Sequence, residues 1–99
     1  MTEWIYFIHP PRDDFAATMT AEEEAVWAEH LERLQRMLAE GHLILAGPTL
    51  GNVNTGLVIF DAVDEDAARL VMAEDPVIRG GFAEGELRPF LLSLLRGQG

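Results

Sequence analysis

The sequence predicts an α+β fold, a ferredoxin-like βαββαβ domain whose antiparallel sheet carries two helices on one face. Three observations predict it. Strand-like and helix-like segments follow one another in the order β-α-β-β-α-β, which right-handed crossovers turn into a split-βαβ sandwich. That topology puts the second and fourth strands at the sheet edges, and Pro48 and Pro89 fall in or beside those two strands, where a missing ladder donor is tolerated. The first helix separates its apolar and polar residues into arcs that do not overlap. With 99 residues and no repeat, linker or low-complexity stretch, the chain reads as a single domain over residues 1–99.

Each element has a local cause. Glu3 to His9 is aromatic and β-branched, as strands are, and Pro10-Pro11 ends it by removing two donors. A loop follows to about Met19. Thr20 and Glu23 have capping-box spacing and start the first helix. At about 100° per residue from Val26, Met37, His30, Leu34, Trp27, Leu38 and Leu31 fall between about 20° and 140°. Gln35, Ala39, Glu32, Arg36, Glu29, Glu40 and Arg33 fall between about 180° and 340°. Gly41 stops the helix as a C′ glycine, and His42 is placed to meet its last carbonyls. Leu43 to Ala46 is a short strand closed by Gly47-Pro48, and Gly51 to Gly56 is a turn. Leu57 to Phe60 is the third strand. Asp64 caps a second helix over Glu65 to Glu74, which Pro76 ends by biasing Asp75 out of helical geometry. Gly80-Gly81 and Gly85 bound a loop, and Glu86 to Leu92 is the last strand.

Composition excludes whole function classes. The net charge of −10 repels nucleic-acid phosphates and anionic lipid. No apolar run approaches the roughly 20 residues that span a bilayer. The N-terminus lacks the basic and apolar regions of an export signal, so a cytoplasmic protein is expected. Cysteine is absent, which removes disulfides, thiolate catalysis and thiolate-bound zinc. All seven basic residues are arginine, which removes a Schiff-base lysine and a phosphate-cradling Walker loop. The three histidines show no metal-ligand spacing, and no glycine pattern opens a helix after a strand, so neither a metal nor a dinucleotide cofactor is expected.

The strands are apolar on both faces. Trp4, Tyr6 and Ile8 point one way and Ile5 and Phe7 the other; Leu57 and Ile59 oppose Val58 and Phe60. Helices cover one face only. A homodimer with sheets packed face to face is the expected cover for the other; the competing arrangement is a monomer whose tail, with Leu94 and Leu95, folds over it.

Two polar residues fall where apolar ones belong. His30 lies inside the apolar arc of the first helix. Asp75, taken as a one-residue extension of the second helix, falls near 80° from Ala67, inside that helix's apolar arc. A buried aspartate is costly unless paired, and side-by-side helices let each group serve the other. An Asp–His pair fixes the imidazole tautomer and favours general-base behaviour. The bland alternative is an Asp75 that caps backbone amides before Pro76 and a His30 satisfied within the core. His9 and Arg12, at the end of the first strand, are candidates to bind an anionic substrate or simply to be exposed.

The stretch Glu29 to Pro48, E-H-L-E-R-L-Q-R-M-L-A-E-G-H-L-I-L-A-G-P, resembles the signature of YciI-like proteins, the YCII-related domain. Ala67 to Pro76, A-A-R-L-V-M-A-E-D-P, resembles that family's helix ending in Asp-Pro, and Arg88-Pro89-Phe90 fits its last strand. The N-terminal P-P-R-x-x-F followed by M-T-x-E-E looks like one branch of it. The resemblance implies a dimeric α+β barrel with a pocket per subunit lined by a histidine and an aspartate, which match His30 and Asp75. It implies lyase- or isomerase-like proton transfer on small, often aromatic, ring compounds without a cofactor. His30 is then the base and Asp75 its orienting partner, Arg12 or backbone amides near Gly47 offset developing negative charge, and Gly47, Pro48, Arg12 and His9 are the expected substrate-binding residues. The alternative is a non-catalytic dimeric module that binds a small ligand or serves as an accessory subunit.

Overall fold

Alternation along β1 (Thr2–His9) decides which side chains meet the helices. Trp4, Tyr6 and Ile8 pack with Val58, Phe60 and Ala62 of β3 (Gly56–Ala62) into one core cluster. Leu34 and Met37 of α1 (Ala21–Ala39), Ala68 of α2 (Glu65–Ala73) and Val77 of α3 (Pro76–Arg79) complete it. The helical layer therefore lies on a single face of an antiparallel sheet, an α+β ferredoxin-like arrangement. The computed structural model describes residues 2–97.

The four strands run in the order β2-β3-β1-β4, with β2 (Leu43–Pro48) and β4 (Glu84–Pro89) at the edges. The prolines thus end both edge strands. In β1 and β3, Tyr6 stands opposite Val58, Ile5 opposite Ile59 and Phe7 opposite Leu57. On the face away from the helices, Ile5 and Ile59 are buried within the single chain, whereas Phe7 and Leu57 are only half-buried. The tail does not bring Leu94 in, which is 93% exposed.

Local chemistry sets the ends of α1. Thr20 Oγ1 accepts the Glu23 N–H at 3.1 Å, and Glu23 Oε1 accepts the Thr20 N–H at 2.8 Å, a reciprocal capping box. At the other end Gly41 takes φ 83°. Its N–H donates to Leu38 and that of His42 to Met37, the two bonds of a Schellman stop. His42 thus meets the helix end through its backbone N–H.

Three features depart from the sequence reading. Phe15–Ala17 forms a short 3-10 turn where a plain loop was expected, with Phe15 buried against Trp27 at 4.6 Å between ring centroids. Pro76–Arg79 forms a separate one-turn helix: Pro76 forbids continuation of α2 but suits the first turn of a new helix. The last strand ends at Pro89 rather than running on to Leu92. Leu31 and Leu38, inside the apolar arc of α1, are more than half exposed, because the arc is wider than the sheet beneath it and its outer side overhangs a cleft. No helix among the described residues is long and apolar enough to cross a membrane.

Candidate functional site

Asp75 is the focus of the helical layer. It caps α3, with Oδ1 accepting the Val77 N–H at 3.1 Å. It is also fully buried. His30, on the face of α1 turned toward it, places Nδ1 2.8 Å from Oδ2 and 3.0 Å from Oδ1. Tyr6 donates its hydroxyl from the sheet to Oδ2 at 2.6 Å. Arg33, three residues beyond His30, brings Nη1 to 3.8 Å from Oδ2 and donates from Nη2 to the Val71 carbonyl at 2.7 Å. One carboxyl group thus caps α3 and contacts the His30 ring. It reaches His30 as the cap of a new helix, and not as an extension of α2.

The electrostatics follow from that geometry. Burial alone would raise the Asp75 carboxyl, but the hydrogen bonds from His30 and Tyr6, the charge of His30 and the Val77 N–H outweigh it. The net result is a carboxyl held below its ordinary value. Tyr6 moves the opposite way. Burial first, then the negative charge of Asp75, push its phenol far above the ordinary value. A phenol raised on folding stabilises the native state below its unfolded value of about 10, and that contribution is lost as pH climbs toward the folded value. Tyr6 is the only tyrosine. Tyrosinate absorbance is therefore expected to stay flat past pH ~10 and to rise only together with loss of far-ultraviolet circular dichroism. Ordinary titration in a folded chain would contradict the Tyr6–Asp75 contact.

His30 links this buried cluster to open space. Its ring lines a cleft of ≈ 840 Å³ between α1 and the β2–β3 edge of the sheet. Trp27, Leu31 and Leu34 form its helical wall, and Leu45, Gly47 and Pro48 part of the strand side. Trp27 stands 6.5 Å from His30 between ring centroids, tilted by 58°. Gly47 and Pro48 therefore share the cleft with His30, while Asp75 stands behind it.

His9 and Arg12 are placed elsewhere. His9 is exposed and pairs with Glu86 across the β1–β4 edge at 3.0 Å. Arg12 grips Glu23 at 2.8 and 2.9 Å, bonds Thr18, and lies 5.1 Å from the centroid of the Phe15 ring. The Arg12 hydrogen bonds, followed by the Thr20 N–H, lower the Glu23 carboxyl to about 2. Arg12 thus braces the start of α1.

Tyr6 and Arg33 escaped the sequence reading. Tyr6 was legible in principle: it shares a strand face with Trp4 and Ile8, and a hydroxyl beneath helices needs a partner. Arg33 falls at about 340° on the helical wheel, only about 20° from Val26, at the boundary of the apolar arc. Its long side chain crosses that boundary.

The domain is thus ferredoxin-like, with a part-buried histidine–aspartate contact at the wall of an apolar cleft. The chain belongs to the YCII-related domain family, whose family model matches residues 4–91. No curated protein sequence is detectably similar to it. Among solved structures it is similar to 5-chloro-2-hydroxyhydroquinone dehydrochlorinase (TftG) from Burkholderia phenoliruptrix AC1100, in complex with 2,5-dihydroxybenzoquinone. The two share 20% identity with a TM-score of 0.67, covering 92% of this chain and 94% of that one. At that identity the likeness is one of fold.

Proposed function

We propose that this chain is an enzyme of lyase or isomerase type, which moves a proton on a small ring compound without drawing on a cofactor. The observation that carries this reading is His30: its Nδ1 is 2.8 Å from the buried Asp75 carboxylate while its ring lines the cleft. With Nδ1 committed, Nε2 is the nitrogen offered to a bound molecule. In the proposed step Nε2 takes a proton from a carbon next to an electron-withdrawing group. The C–H electron pair then expels a leaving group from the neighbouring carbon, in a lyase, or shifts along the ring and is reprotonated by the imidazolium, in an isomerase. Asp75 orients the ring of His30 and stabilises the imidazolium. Of the groups expected to offset developing negative charge, the Gly47 backbone lies at the cleft wall, whereas Arg12 is occupied by Glu23.

The apolar walls and Trp27 suit a flat ring, and the similar dehydrochlorinase was solved with a dihydroxybenzoquinone. Addition of 2,5-dihydroxybenzoquinone is expected to quench Trp27 fluorescence and shift the His30 ring resonances. Chloride release from 5-chloro-2-hydroxyhydroquinone is the corresponding turnover assay. Binding without turnover across chlorinated and hydroxylated ring compounds would assign the cleft to ligand binding and remove the enzyme. The reading includes a second copy of the chain. Phe7 and Leu57, half-buried and directly opposed on the face away from the helices, suit a second sheet that closes a barrel. Sedimentation at micromolar concentration is expected to give twice the 11.0 kDa chain mass, and a monomer mass would remove the barrel.

A further inference from the structure

Two side chains reach Asp75 that the proposed reaction does not use. Tyr6 donates to Oδ2 at 2.6 Å from β1. Arg33 holds Nη1 3.8 Å from the same oxygen from α1, and Nη1 is buried with no hydrogen-bond partner among the described residues. A buried guanidinium arm left without a hydrogen bond is costly unless a negative charge lies close by. The nearby charge here is the Asp75 carboxylate.

The distribution of donors over the two oxygens then has a consequence for His30. The Val77 N–H occupies Oδ1 at 3.1 Å and the Tyr6 hydroxyl occupies Oδ2, so both oxygens act as acceptors. Donors on both oxygens bond more strongly to the ionised carboxyl than to the neutral one and so favour the carboxylate. With Asp75 ionised, the proton between it and the imidazole belongs to Nδ1, and Nε2 is left as an acceptor. We propose that Tyr6 and Arg33 are positioning residues that hold Asp75 as a fixed carboxylate and so dictate which nitrogen of His30 carries the proton. The inference rests on the reading of His30 as the group that meets a bound molecule, but it concerns the resting protein, and its test needs no ligand.

The test reads the His30 tautomer from long-range proton–nitrogen correlations and follows the Asp75 carboxyl carbon through an acid titration. In the unaltered protein Nδ1 is expected to carry the proton at neutral pH. Tyr6→Phe removes a hydrogen bond to a charged group and is expected to move the Asp75 midpoint up by about one to two pH units, with a second tautomer of His30 becoming visible. Arg33→Gln is expected to move the same midpoint in the same direction by less, since Nη1 stands off at 3.8 Å. A purely structural role for Tyr6 would lower thermal stability without touching either signal. The proposal is overturned if Nε2 carries the proton in the unaltered protein, or if a folded Tyr6→Phe variant leaves both signals in place. Should Tyr6→Phe fail to fold, the unaltered protein and Arg33→Gln decide the matter. A chain that shows these shifts but binds no ring compound keeps the positioning assignment and loses the enzymatic one.

Discussion

Replacing Asp75 by alanine is expected to destabilise the fold by about 3–5 kcal/mol, the range for removing one partner of a buried charged group. Three kinds of loss coincide. Val77 loses the side-chain acceptor that caps α3. The Tyr6 hydroxyl, buried beneath the helices, and the His30 Nδ1–H lose their acceptor. Arg33 keeps its bond to Val71 but is left with a buried positive charge and no counter-charge at Nη1. A domain of this size has about 5–15 kcal/mol in total, so the variant stands near the limit of folding. Asp75→Asn keeps the shape and one acceptor oxygen, and a smaller loss is expected. Urea unfolding midpoints compare the two directly. Stability within about 1 kcal/mol of the parent in both variants would show that the network carries no weight.

The acid side of the stability profile gives the same carboxylate a second signature. The Asp75 carboxyl is held below its ordinary value on folding. Its contribution is therefore fully present above the unfolded value of about 3.9 and is lost as pH falls through the folded one. Asp75→Asn should remove that part of the acid dependence. Together with the alkaline behaviour of Tyr6, this brackets the window in which the network contributes its full stabilisation, from about pH 4 to about pH 10, with the contacts themselves persisting beyond both limits.

What could be read from the sequence, and what could not, divides along physical lines. The α1 start was legible because a capping box is a local motif, and Gly41 because a Schellman stop needs φ > 0. The strand order was legible because right-handed crossovers turn a β-α-β-β-α-β succession into a split-βαβ sheet, and Pro48 and Pro89 agree with the two edge strands this predicts. Asp75 was placed by extending a helix that Pro76 in fact interrupts. The contact with His30 formed nonetheless, because a cap at the start of α3 points into the same interhelical space. The partners Tyr6 and Arg33 were hidden for a different reason. A strand face says that a residue is buried but not what waits across from it, and a long side chain at the edge of an apolar arc can turn either way. The overhang of Leu31 and Leu38 was likewise invisible, since a helical wheel fixes the width of the apolar arc and not the width of the sheet it covers.

His30→Asn is expected to lower turnover of a ring substrate by about 10²–10⁴-fold, the usual contribution of a positioned base, while leaving the domain folded. The two halves of that expectation have separate causes. Asparagine has no group that accepts and returns a proton near neutral pH, so the loss belongs to the chemical step and should appear in kcat. The cleft walls, Trp27 and Leu34 among them, are untouched, so ring binding measured by Trp27 fluorescence should change by far less. Folding is protected because His30 stands at the cleft wall, and Asp75 keeps Tyr6 and the Val77 N–H as donors when the imidazole is gone. This separates His30 from Asp75, whose removal strands four partners at once: the Val77 N–H, Tyr6, His30 and Arg33. The comparison of the two variants therefore reads chemistry in one and structure in the other. An asparagine variant that turned over a genuine substrate at the parent rate would eliminate His30 as the base, whatever the state of the network behind it.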